Sequence, residues 1–154
     1  LKLGVESKVD LSTGRSLLVD VGGGSVEVVL VEKGQVVSAD SYRLGALRML
    51  ESLRDAEADG AGFVDLMQKH LKSLEYRIAD RFEALRIDRY VAVGGNIESL
   101  VDLVAARTGP RRQDGIDAAS IVDLRRELDE LASLSVSERI EKRGLKPDRA
   151  DTIL

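Results

Sequence analysis

The 154-residue sequence is 44% hydrophobic and sets 23 Lys and Arg against 27 Asp and Glu, a formal net charge of −4. It is long and apolar enough to bury a core and has the usual length of one compact domain, but it lacks the basic excess with which general nucleic-acid binders neutralise phosphates. The absence of cysteine excludes disulfides and thiolate metal sites and points to a cytoplasmic setting. No apolar run approaches the roughly 20 residues that span a bilayer, so neither nucleic acid nor membrane is an expected partner.

In chain order, residues 16–22 (SLLVDVG), 25–32 (SVEVVLVE) and 35–43 (QVVSADSYR) are valine-rich or alternating segments divided by glycine turns, which predicts a three-strand antiparallel meander. Lys33-Gly34 suits a tight hairpin, because glycine accepts positive φ without strain. Leu47, Leu50 and Leu53 are three apart and predict a helix over 44–53, followed by a polar, small-residue break at 55–62. A longer helix follows. Phe63, Leu66, Met67, His70, Leu71, Leu74, Ile78, Phe82 and Leu85 recur at spacings of three and four, one apolar stripe over roughly six turns.

A short strand at 89–93 (RYVAV) runs into Gly94-Gly95-Asn96 and a helix with Ile97, Leu100, Val101 and Val104 on one face. After a polar loop (RTGPRRQDG) come three helices, near 117–132, 135–143 and from 147 to the end. Asp117 is placed to cap the first, Ser135 with Glu138 forms a capping-box pattern for the second, and Pro147 fits the first turn of the third. A meander followed by a strand–helix crossover predicts an α/β fold: a mixed sheet, with RYVAV parallel to the first strand, flanked by helices. A doubly wound Rossmann domain fits less well, because its first glycine loop leads into a helix, whereas here it leads into a second strand.

Asp20 ends an apolar strand on the same face as Leu18, and burying an ionised carboxylate costs several kcal/mol unless a cation or hydrogen bonds offset it. Gly22, Gly23, Gly24 and Ser25 then present main-chain N–H groups that an anion can approach closely. Glu27, two residues on, shares the face of Ser25 on the second strand. An acid, a phosphate cradle and a second acid thus fall within eight residues. A flexible hairpin with an aspartate at the sheet margin is the plainer alternative. In the second loop, Gly94 and Gly95 end a strand and Asn96 is placed to cap the next helix, where outward N–H groups suit an anion; an ordinary strand-to-helix turn reads the same way.

Together these segments carry a resemblance. DVGGGSVEVVL resembles the first phosphate motif of the exopolyphosphatase and guanosine pentaphosphate phosphatase (Ppx/GppA) family, commonly Asp-Ile-Gly-Gly-Gly-Ser-Thr-Glu-Leu. SYRLGALRMLE resembles the segment after that family's third strand, and VAVGGNIESL its second glycine loop. Pro147 to Asp151 reproduce its Pro-Asp-Arg-Ala-Asp signature, and LKLGVES resembles the segment after its catalytic glutamate. The likeness extends over nearly the whole chain, in order.

The resemblance implies an actin-like ATPase, ribonuclease H-like domain, the second of two that face a cleft. It also implies Mg2+-dependent removal of terminal phosphate from inorganic polyphosphate or guanosine pentaphosphate. By it, Asp20 and Glu27 match acids that hold the metal or order the attacking water. Gly22, Gly23, Gly24 and Ser25 match the phosphate loop, and Gly94, Gly95 and Asn96 the second loop. Val26 departs from the commoner threonine and removes one hydroxyl. The family's general base, a glutamate, lies upstream of the position of Leu1. The expectation is therefore a single domain over 1–154 that is part of a longer protein, inactive alone, with the first domain as its partner and a homodimer left open.

Two readings from other classes compete: a polyphosphate or nucleotide sensor of the same fold that hydrolyses nothing, and the ATP-binding domain of an actin-like-fold kinase. A kinase relative would carry late glycines for the adenosine pocket, and no Gly-Gly pair follows residue 95. His70, the one histidine, sits at an apolar helical spacing and reads as a core or boundary residue before a catalytic base. Arg111 and Arg112 read first as a solvated surface pair. Arg43 and Arg48, which flank Leu44-Gly45, are the better candidates for reaching a phosphate, because the resemblance puts this segment near the cleft, and helix-surface ion pairing is an equal reading.

Overall fold

The computed structural model describes residues 1–45, 47, 48, 63–82 and 84–154, with the backbone alone for 63–70. The predicted helix over 44–53 and the break at 55–62 fall largely outside these residues, as do the side chains of Phe63, Leu66, Met67 and His70. The chain forms two compact units, Leu11–Val91 and Leu1–Asp10 with Ala92–Leu154.

In the first unit, β1 (Arg15–Val21), β2 (Val26–Glu32) and β3 (Gln35–Tyr42) form the predicted antiparallel meander. β4 (Arg89–Val93), which runs across the unit boundary, adds beside β1 to complete a four-stranded mixed sheet in the order β3-β2-β1-β4. Lys33 and Gly34, with φ of 47° and 79°, make the two-residue turn between β2 and β3. Left-handed backbone at both positions matches the twist of the paired strands. The start of β1 is pinned by an exchange in which Arg15 N donates to Asp88 Oδ2 and Asp88 N donates to Arg15 O, both at 3.0 Å.

Alternation assigns the two faces of the sheet. Leu17, Val26, Val28, Leu30 and Tyr42 pack on one side with Phe82, and Leu74 and Ile78 of α2 (Phe63–Phe82) close over them. Ser16, Leu18, Val29 and Val31 point to the other side and are also buried. The central strands are therefore covered on both faces, which is why they read as near-continuous apolar runs. Each fully buried Val or Leu contributes about 1.5–3 kcal/mol relative to exposure. The stripe on α2 is narrower than its spacing predicts, because Leu71 is exposed.

The second unit is mainly helical: α1 (Lys2–Glu6), α3 (Gly95–Thr108), α4 (Ile121–Ala132), α5 (Val136–Arg143) and α6 (Pro147–Ala150). Its core gathers Leu100, Leu131, Leu145, Ala150 and Ile153, with Leu103, Leu124, Leu128 and Ile140 against them. The capping box holds as predicted, with Glu138 N donating to Ser135 Oγ and Ser135 N donating to Glu138 Oε2. Pro147 opens α6.

Four local readings change. The polar loop contains a small hairpin of β5 (Arg112–Gln113) and β6 (Ile116–Asp117), turned at Asp114 and Gly115, both at positive φ. Asp117 therefore belongs to a strand, and α4 begins later, capped by Ser120, whose Oγ accepts from Asp123 N. α6 stops at Ala150 rather than running on; Thr152 folds back, its Oγ1 donating to Asp148 O at 2.8 Å, and Ile153 enters the core. The first residues, read only through resemblance, form the short α1.

Candidate phosphate site

The β1–β2 register places Asp20 directly opposite Glu27 and closes on Val21 opposite Val26. Glu27 in turn faces Ser41 on β3, so Asp20, Glu27 and Ser41 make a polar row across three strands, on the face opposite α2. Asp20 is half-buried and Glu27 exposed; the aspartate is less enclosed than its apolar strand predicts, because it lies at the sheet's end. Two carboxylates directly opposite each other repel, at a cost of about 0.2–1 kcal/mol. The row follows Leu18 and Val29, both buried, so the change from apolar to acidic occurs within one residue pair.

Gly22 to Ser25 connect these strands, and Gly22 N donates to Ser25 O at 3.0 Å. Gly22, Gly23 and Gly24 all keep φ outside the left-handed region, so what they supply is missing side-chain volume rather than unusual backbone. A Cβ on Gly23 would meet Leu47 Cδ1 at 2.9 Å, whereas a Cβ on Gly24 would meet nothing within 4 Å among the described residues. Toward these residues the space left by the absent side chain of Gly24 is open.

The loop rests on the segment after β3. Gly45 is buried against it, and a Cβ there would collide with Gly23 C, Gly23 O and Ser25 N, so only glycine allows this approach. Arg48 N donates to Gly23 O at 3.0 Å, and Arg48 Nε donates to Gly24 O at 3.1 Å. Of the two arginines singled out beside Leu44-Gly45, Arg48 thus holds the loop, while Arg43 is exposed.

Gly94, Gly95 and Asn96 belong to the other unit. Asn96 does not cap α3: the N-cap is Gly94, at φ 125°, and no side chain accepts from the first turn. Asn96 Nδ2 instead donates to Thr152 O at 2.6 Å, and Arg149 Nη1 donates to Asn96 Oδ1 at 3.4 Å. The Asn96 side chain is turned toward the segment after Pro147 because a buried carbonyl there needs a donor. The Arg149 guanidinium lies over Gly95, where a Cβ would displace it. A cation beside a helix N-terminus adds to the positive end of the helix dipole, and together they favour an anion. Arg149 was not among the residues singled out from the sequence, although it is the central residue of the Pro147–Asp151 signature.

Arg111 and Arg112 are exposed and pair with Asp123 at 3.5 Å and Asp117 at 3.6 Å, as the solvated-surface reading expects. The Asp123 carboxyl is held below its ordinary range, first by the hydrogen bond from Ser120 and then, against burial, by Arg111 and Arg107. Among the described residues no group of three or more His, Cys, Asp or Glu could hold a metal ion. None of the described helices is long and apolar enough to cross a membrane.

The mixed sheet and its flanking helices have the α/β, actin-like ATPase fold. The family model for Ppx/GppA phosphatases matches residues 1–154, and the chain belongs to that family. Among solved structures, an exopolyphosphatase from Cytophaga hutchinsonii is 21% identical with a TM-score of 0.69, over 97% of this chain and 49% of that one. A Ppx/GppA family member from Aquifex aeolicus is 21% identical with a TM-score of 0.73, over 99% of this chain and 48% of that one. The chain thus spans about half the length of the solved structures it matches. No curated protein matches the sequence.

Proposed function

We propose that this chain is the phosphate-binding second domain of a Mg2+-dependent phosphoanhydride hydrolase that removes terminal phosphate from inorganic polyphosphate or guanosine pentaphosphate. The observation that carries the reading is the direct opposition of Asp20 and Glu27 across β1 and β2, at the foot of a glycine loop whose outer side is open at Gly24. Two hard carboxylate donors, with no third beside them among the described residues, suit Mg2+, which is commonly held by one or two carboxylates while substrate phosphates and water complete its shell. When bound, the ion would neutralise phosphate charge. The chain's own part is positioning: Gly23, Gly24 and Ser25 offer N–H donors to the phosphate oxygens, the Gly22 N–H being taken up by Ser25 O, and Asp20 and Glu27 hold the ion or orient the attacking water. Phosphoryl transfer depends mainly on such positioning and charge stabilisation.

Gly24→Ala tests the site. The folded chain has room for the methyl group, so stability should be unchanged, while a methyl on the open side should obstruct an incoming phosphate. Titration calorimetry with pyrophosphate and Mg2+ should show affinity lowered about tenfold or more. Equal affinity in the variant and the parent would remove the loop from the site.

A further inference from the structure

Arg48 binds the glycine loop twice, through different atoms and to consecutive carbonyls. Its main-chain N–H donates to Gly23 O at 3.0 Å and its side-chain Nε–H to Gly24 O at 3.1 Å. Among the described residues no peptide bond is cis, and in a trans peptide the C=O and the following N–H point in opposite directions. Fixing Gly23 O therefore fixes the direction of the Gly24 N–H, and fixing Gly24 O fixes that of the Ser25 N–H. Both N–H groups are turned away from the atoms of Arg48 that hold the carbonyls.

From this we infer that Arg48 is a positioning residue for the glycine loop, which sets the Gly24 N–H through its backbone and the Ser25 N–H through its guanidinium. The inference rests on the reading of Gly22 to Ser25 as the phosphate cradle, and it adds how that cradle is held ready. A glycine turn free to rotate its peptide planes would present carbonyl oxygens to an anion part of the time, and an anion rejects them. Preorganised donors avoid that reorganisation when ligand arrives. Gly45 serves the same end sterically, because only a residue without a side chain lets this segment approach near enough for Arg48 to reach both carbonyls.

The two bonds are separable by mutation. Arg48→Ala removes the Nε donor and keeps the backbone donor, so only the Ser25 amide should lose its fixed direction. Residual dipolar couplings of the ligand-free 154-residue chain read this amide by amide. In Arg48→Ala the Ser25 N–H coupling should fall toward its motional average, while those of Gly24 and of the paired residues of β1 and β2 stay at parent values. Arg48→Lys retains the charge without the Nε–H and should behave like Arg48→Ala. Pyrophosphate affinity with Mg2+ should fall about tenfold in both variants, the scale on which supporting residues around a binding site act.

An unchanged Ser25 coupling in Arg48→Ala would overturn the inference, whatever happens to ligand. Parent-like affinity in Arg48→Lys with an averaged Ser25 coupling would also overturn it, by showing that charge alone matters. If Gly24→Ala leaves affinity intact while the Ser25 coupling collapses as expected, the phosphate reading fails and the positioning of the loop by Arg48 stands.

Discussion

At the scale of single residues, Asp20 and Glu27 form a pair that the sheet would be better without. They are directly opposed, and their repulsion is relieved only when a cation arrives or one charge is removed. Asp20→Asn should accordingly leave the ligand-free chain as stable as the parent, or more stable by up to about 1 kcal/mol. It should also abolish the rise in melting temperature that Mg2+ with pyrophosphate gives the parent. That rise follows the ligand's free concentration relative to its Kd, so thermal melts across a concentration series check it. A variant that gains as much stability from Mg2+ and pyrophosphate as the parent would exclude Asp20 from the metal site. That an acid stands on either side of the glycine turn was legible in the sequence; their direct opposition comes from the register of β1 and β2. Arg48 was legible as a candidate for reaching a phosphate, and not as the residue that holds the loop. Which carbonyls it reaches depends on the approach that Gly45 permits, and spacing along a chain does not encode that.

At the scale of elements, local signals were read well where the chemistry is local. Ser135 with Glu138 is such a case, and it predicts a pH dependence. The Glu138 carboxyl is lowered from 4.5 to about 2, chiefly by its hydrogen bond from Lys142 and then by those from Ser135. A carboxylate whose pKa falls on folding contributes stability that is complete above the unfolded value and is lost as pH drops through the folded one. Glu138→Ala should thus melt a few degrees lower than the parent at neutral pH. The difference should shrink as pH falls from about 4.5 toward 2, as thermal melts over that range would show. A constant difference across the range would mean that the charge of Glu138 contributes nothing to the cap.

Tertiary demands were not legible in the same way. Arg139 and Glu127 are charged residues on amphipathic helices, yet both are buried. Arg139 Nε donates to Leu131 O at 2.8 Å, which also accepts from Leu134 N at 3.1 Å, and Nη1 donates to Ala150 O at 2.9 Å, so it serves carbonyls at the ends of α4 and α6. Glu127 is held by Arg143 and faces Arg107. Helical periodicity sorts residues by polarity, and it errs where a charged side chain is recruited inward to serve a helix terminus. Asn96 was misread for the same reason: its sequence position suits a cap, but the carbonyl of Thr152 claims its amide. The hairpin of β5 and β6 was missed because two-residue strands carry no periodicity, although Asp114-Gly115 is a turn signal in its own right.

At the scale of the whole molecule, the chain spans about half the length of the solved structures it matches, and the proposed function gives it the acids and the phosphate-binding loop. The sequence resemblance assigns the general base to a glutamate in a partner domain. Positioning and charge stabilisation act together on one transition state, and removing one member of such a set removes most of the effect of the others. The 154-residue chain should therefore bind pyrophosphate with Mg2+ yet release phosphate from polyphosphate at a rate near background. Turnover should appear in a longer protein that carries the glutamate. In that protein Asp20→Asn and Glu27→Gln should each lower kcat by about a hundredfold or more, the scale on which groups that stabilise the transition state act, whereas His70→Ala should change it little. Phosphate release, measured side by side on polyphosphate and guanosine pentaphosphate, checks all of this and separates the two substrates. Enzyme-like release by the 154-residue chain, or a crippling effect of His70→Ala, would move the base into this domain and overturn the division of labour.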